Sequence, residues 1–158
     1  MRRLMSYAPW RRVRRALGLH GRVRSFEEDV ARHGAIAQGS TQLITVEVER
    51  IVGSVGRTRS MRSDFFYRRG PAVTQRYRRI GAAIQRGETL PPVELYRVRR
   101  RDPHSGEETC DYYVIDGHHR VAMARQLGQL YLDARVIDFR FPERALEAGQ
   151  LQRDAERP

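Results

Sequence analysis

In the C-terminal half of the chain, Tyr112-Tyr113-Val114-Ile115 forms an unbroken apolar run. It turns through Asp116-Gly117 and continues as His118-His119-Arg120-Val121-Ala122-Met123-Ala124 toward Gly128. A short apolar run bounded by a turn dipeptide reads as a buried strand, here Asp111 to Ile115. The stretch behind it reads as a helix to Leu127, closed by Gly128. Tyr131 to Phe139 then reads as another strand. This part of the chain therefore reads as a strand, a helix and a second strand in close succession.

The rest of the chain fits that frame. Val73, Tyr77, Ile80 and Ile84 fall at helical spacing, so a helix is expected from Pro71 to Arg86 with Gly87 as its stop. Val93 to Arg99 reads as a strand after Pro91-Pro92, and Arg100 to Cys110 as a long hairpin loop. Leu43 to Val48 is the first clear strand, and Gly53-Ser54-Val55-Gly56-Arg57 a loop. Ser25 with Glu28 three residues on matches a capping box, opening a helix from Phe26 to about Gln38 that Gly39-Ser40-Thr41 would break. Tyr7 to Leu19 reads as a short basic helix with Trp10, Val13 and Leu17 on one face. The tail from Pro142 is polar.

Several classes fall away on composition. The chain has 158 residues, enough for one domain with a modest core. The apolar windows are short and interrupted by charge, so no membrane span is expected. The basic N-terminus lacks the apolar stretch and cleavage site of a secretory signal. A lone Cys110 leaves neither a disulfide framework nor a cysteine zinc site. The expectation is a cytoplasmic protein.

Charge is distributed in blocks. All 30 basic residues are Arg, against 19 acids, for a net +11. Residues 1–24 hold eight Arg and no acid, and residues 57–101 hold thirteen Arg against three acids. The segments between and after them are mildly acidic. Such blocks suit an anionic partner, and otherwise serve as solvated faces. Arg76, Arg79 and Arg86 share one stripe of the expected helix, and with Arg97, Arg99, Arg100 and Arg101 they offer a track for a phosphate backbone.

The Asp116-Gly117-His118-His119-Arg120 turn carries the strongest chemical signal. A helix N-terminus presents unpaired N–H groups and partial positive charge, which attract anions. Gly117 allows close backbone approach. Arg120, within the first turn, has the fork to grip phosphate. His118 and His119 supply further N–H donors and would charge beside a phosphate. The plain alternative is an Asp116 helix cap with histidines satisfying local carbonyls. Adjacent histidines point apart on a helix, and neither a cysteine nor an acidic cluster stands near, so no metal site is expected.

Ile44-Thr45-Val46-Glu47-Val48 with Ile51, Leu90-Pro91-Pro92-Val93-Glu94-Leu95-Tyr96 and Tyr113 to Ala124 together resemble the ParB/sulfiredoxin superfamily, often labelled the ParB-like nuclease domain. The resemblance covers roughly 43–138, and Gly53-Ser54-Val55-Gly56-Arg57 looks like a subgroup in which that loop faces the signature. It implies a single α/β (α+β) domain with a small mixed sheet flanked by helices. In the ParB branch the matching signature binds the phosphates of CTP, but here His118 and His119 replace its Glu and first Arg. The DNA-reading helix-turn-helix domain that ParB proteins carry after this fold is not expected here. In sulfiredoxin the catalytic Cys falls on His118, which removes reductase chemistry and leaves His119 and Arg120 as phosphate-gripping positions. The signature is most similar to that of the free-serine kinases of the superfamily. Their catalytic Glu has no counterpart here, because the loop from Arg50 to Arg57 holds no acid and the next is Asp64.

The expected organisation is a basic helical extension over 1–40, the ParB/sulfiredoxin-like domain over 41–140 and a polar tail over 141–158. The expected biochemistry is binding of a nucleotide (ATP, ADP or CTP, with Mg²⁺) through its phosphates by Arg57, Gly117, His118, His119 and Arg120. If phosphotransfer follows, Asp116 and His118 are the candidate catalytic groups. The alternative is nucleic-acid binding along Arg76, Arg79 and Arg86, with Phe65, Phe66 and Tyr67 available for stacking. Residues 1–24 could instead dock an acidic protein.

Overall fold

A computed structural model describes residues 22–34, 36–62, 65, 71–101 and 106–140. The expected basic helix over 7–19, the tail after 142, and Asp64, Phe66 and Tyr67 lie outside the described residues.

Six strands form one mixed sheet: β1 (Arg24–Ser25), β2 (Ile36–Glu47), β3 (Ile51–Ser54), β4 (Val93–Arg101), β5 (Glu108–Asp116) and β6 (Tyr131–Arg140). Three α-helices accompany them: α1 (Phe26–His33), α2 (Pro71–Gln85) and α3 (His118–Gln126). The strand order is β1-β3-β5-β4-β6-β2. β1 and β5 both run parallel to β3, and β4 runs parallel to β6. The β4–β5 and β6–β2 pairs are antiparallel. The α/β class is as expected.

Side-chain alternation sends two cores to opposite faces of the sheet. Leu95, Tyr112, Val114, Ala134 and Val136 face α2 and α3, where Tyr77, Val121 and Ala122 close over them. Val52, Val98 and Tyr113 face the other way, against α1. There Phe26 meets Tyr96 at 4.8 Å, Phe139 at 5.1 Å and Tyr113 at 5.6 Å between ring centroids. A buried polar cluster locks α1 down. Arg24 donates to Asp29 at 2.6 Å and to Asp111 at 2.8 Å, and the Tyr113 hydroxyl donates to the same Asp29 oxygen. The segment 22–40 thus supplies a strand, a helix and part of an edge strand to this one sheet.

Several boundaries differ from the sequence expectation. Ser25 does cap α1, accepting from the Glu28 N–H at 3.3 Å. The helix ends at His33, however, not near Gln38. Gly34 takes a positive φ of 63° and donates its N–H to the Val30 carbonyl at 2.7 Å, closing the last turn. The chain beyond it pairs with β6 as a strand, and the Gly39-Ser40-Thr41 breaker becomes a register shift between Ala37 and Thr41. Ile51–Ser54, expected to run from Ile51-Val52 into a loop, is a fully buried strand sandwiched between β1 and β5. The second hairpin strand begins at Glu108, three residues before Asp111, which shortens the expected loop.

Candidate functional site

β3 and β5 lie side by side and parallel, with Ser54 opposite Val114. Their C-terminal ends therefore open at the same edge, where ligands of α/β sheets usually sit. From β3 the chain continues through Val55 and Gly56 to Arg57, at the start of a 3₁₀ turn over Thr58–Ser60. From β5 it continues through Asp116 and Gly117 into α3.

Gly117 is the N-cap residue of α3, at φ 95° and ψ 19°, and no side chain caps the helix. The first intrahelical bond runs from the Val121 N–H to the Gly117 carbonyl at 3.0 Å. The N–H groups of His118, His119 and Arg120 consequently have no acceptor within the helix. A side chain at Gly117 would strike Val93, with Cβ 2.7 Å from Val93 Cγ1. The glycine is thus required by the left-handed turn and by packing on β4.

The two histidines part company. His118 turns into the protein and is 2% exposed. Its Nε2 shares a 2.7 Å hydrogen bond with Oγ of the fully buried Ser54. Burial above all, with Arg57 next, pushes the imidazole down to about 4 against the opposing pull of Asp116, so His118 is neutral at physiological pH. His119 stays half-buried, with its ring 4.7 Å from that of Tyr77. Tyr77 is itself held by donation from its hydroxyl to the Phe65 carbonyl at 3.2 Å. His119 is also pushed below its ordinary value, first by burial, then by Arg76 and Arg57, with Asp116 opposing more weakly.

Arg120 is engaged inside the chain. Its guanidinium donates to the carbonyls of Pro91 and Pro92 (2.8 Å for Pro92) and to Asp116 at 2.9 Å. This ties the first turn of α3 to the lead-in of β4. Asp116 is 73% exposed and is the carboxylate at the mouth of the site. Arg57 and Arg76 are both exposed.

The structure thus brings Arg57, Asp116, Gly117, His118, His119 and Arg120 to one edge and adds Arg76 from α2. Arg79 and Arg86 lie further along α2, both exposed, and Arg86 pairs with Glu88 at 2.6 Å. Two residues of the site escape sequence reading. Ser54 sits in a stretch expected to be loop, 64 positions from its partner His118. Tyr77 reads as one more member of an apolar helical stripe. Among the described residues no group of three His, Cys, Asp or Glu is gathered closely enough to hold a metal ion. Among them, too, no helix is long and apolar enough to cross a membrane. No protein-family model matches the chain, and no curated protein matches it significantly.

Proposed function

We propose that this chain is a ParB/sulfiredoxin-like domain that binds a nucleotide through its phosphates at the β5–α3 turn. The observation that carries this reading is the α3 terminus itself. Gly117 opens the helix with no side-chain cap, the N–H groups of His118, His119 and Arg120 have no acceptor within the helix, and exposed Arg57 and Arg76 come to the same edge from separate elements. Helix N–H groups without an intrahelical acceptor, set beside guanidinium groups, are what an anionic phosphate needs.

Within this reading the N–H groups of His118, His119 and Arg120 receive phosphate oxygens, and Arg57 and Arg76 neutralise charge from the sides. His118 and Arg120 are positioning residues: one is held by Ser54 and the other by the Pro91 and Pro92 carbonyls, and together they fix the helix terminus. Mg²⁺ arriving with the nucleotide would be held chiefly by the phosphates, with the exposed Asp116 a carboxylate at the mouth of the site. Phosphotransfer, if the bound nucleotide is turned over, would use Asp116 to orient the acceptor hydroxyl.

Titration calorimetry with ATP, ADP, CTP and GTP in the presence of Mg²⁺ tests the proposal. Binding by at least one of them, weakened at least about tenfold by Arg57→Ala or Arg76→Ala, is the expected result. Absence of binding by all four, or affinity unchanged in both variants, overturns it. The nucleic-acid alternative draws on exposed Arg76, Arg79 and Arg86. It requires DNA or RNA binding that falls steeply with salt and weakens on Arg79→Ala and Arg86→Ala as much as on Arg76→Ala.

A further inference from the structure

The sheet ends differently on its two sides. β1 is only two residues long, Arg24–Ser25, with Arg24 committed to Asp29 and Asp111. A short edge strand backed by charge discourages further pairing. β2, at the other end, is a twelve-residue strand that pairs with β6 and has no strand on its outer side among the described residues. Its sequence, Ile36-Ala-Gln-Gly-Ser-Thr-Gln-Leu-Ile-Thr-Val-Glu47, holds no proline and a single charge at its last position. In a chain that is 31% charged, that is an edge nearly free of charge and without proline, guarded only by an irregularity in its first half.

The strand has two halves. The register shift between Ala37 and Thr41, with Gly39 at φ 68°, distorts the first half. From Thr41 to Glu47 the pairing with β6 is continuous, Thr41 opposite Ile137 through Glu47 opposite Tyr131. Leu43 is 69% exposed on this half. On its face of the sheet the neighbouring positions are Thr41, Thr45, Ile137, Arg135 and Asp133, with Glu47 and the 53% exposed Tyr131 further along.

We propose that the outer edge of β2, Thr41 to Glu47, pairs antiparallel with the same edge of a second copy of this chain. A two-fold axis at Ile44 sets Leu43 opposite Thr45 of the other copy and forms about six backbone hydrogen bonds. It extends two six-stranded sheets into one. The choice of a second copy rests on charge. The chain carries +11 overall, so two copies approach most easily along a strip with no arginine, and β2 is that strip. The row behind it adds little net charge: Arg135, beside Leu43, pairs with Glu94 at 3.4 Å, and Asp133, beside Thr45, accepts from the Thr45 hydroxyl at 2.9 Å. This pairing lies apart from the β5–α3 turn and does not depend on the nucleotide reading.

Sedimentation velocity of the full chain, from about 1 to about 200 μM, reads the assembly directly. The expected result is a concentration-dependent monomer–dimer equilibrium whose dissociation constant rises at least about tenfold in Leu43→Lys, where an edge charge enters an exposed position. Thr45→Lys, also exposed, is expected to do the same, and unchanged far-ultraviolet circular dichroism verifies that both variants fold. A chain monomeric across the range overturns the proposal. So does a dimer indifferent to both variants, which would pair through another surface, and so does open-ended growth beyond the dimer.

Discussion

Acid should unfold this protein through His118 before its carboxylates are fully protonated. The imidazole is 2% exposed, bonded to Ser54 Oγ, and pushed down to about 4 chiefly by burial. In the unfolded chain the same group titrates near 6.5. The unfolded state therefore takes up a proton at a higher pH than the folded state. Above pH 6.5 the difference vanishes, and as pH falls from 6.5 to 4 stability is lost progressively, by about 3 kcal/mol over the full window. His119, half-buried and lowered in the same direction, adds to the slope. The perturbation that isolates His118 is His118→Gln, which keeps a polar group within reach of Ser54 and removes the titration. Urea unfolding at intervals between pH 7.5 and pH 4.5 gives the stability of both proteins. The native chain should lose roughly 2 kcal/mol or more over that range, and the variant should lose markedly less. Equal slopes in the two proteins, or a flat native profile, would refute the assignment of a buried neutral imidazole.

Other substitutions test the frame that positions the site. Arg97 grips Asp138 through both carboxylate oxygens, at 2.5 and 2.6 Å, with both side chains largely shielded near the end of the sheet. Asp138→Ala should cost about 3 kcal/mol in urea unfolding at pH 7. Because Arg97 holds the Asp138 carboxyl below its ordinary 3.8, the pair's contribution is complete above that pH and is lost as pH falls further, outside the His118 window. Gly117→Ala meets both a φ of 95° and Val93 Cγ1 at 2.7 Å, and should cost about 2 kcal/mol, read as a lowered Tm. Phe26→Ala, which empties the centre of the aromatic cluster under α1, should cost about 3 kcal/mol in the same measurement. A variant as stable as the parent would show that residues 22–33 do not support the sheet.

How far the sequence could be read follows from where the information lies. β4, β5, α2, α3 and β6 announce themselves through periodicity and through Pro91-Pro92, Gly87 and Gly128, all local signals. The end of α1 is hidden because Ala35-Ile36-Ala37-Gln38 continues a plausible helical pattern, and only a positive φ at Gly34 and pairing with β6 decide against it. β3 escapes because four buried residues, one of them Gly53, entered straight from a 3₁₀ turn, carry no alternation, and their strand character comes from neighbours on both sides. The site shows the same division. The turn from Asp116 to Arg120 is legible as a strand-to-helix junction. The inward turn of His118 onto Ser54 and the capture of Arg120 by Pro91 and Pro92 are tertiary contacts with no local signature. Arg76 could be placed on a basic helical stripe, but its closeness to His119 depends on how α2 packs on α3.

The most direct test of phosphate binding is an amide nitrogen–proton correlation spectrum of the full chain, titrated with the Mg²⁺ complexes of ATP and CTP. The amides of His118, His119 and Arg120 are expected to shift together and saturate, while those of Thr41 to Leu43, at the far edge of the sheet, stay in place. Saturating shifts confined to another surface, or no shift at the α3 terminus with either nucleotide, would contradict phosphate binding there.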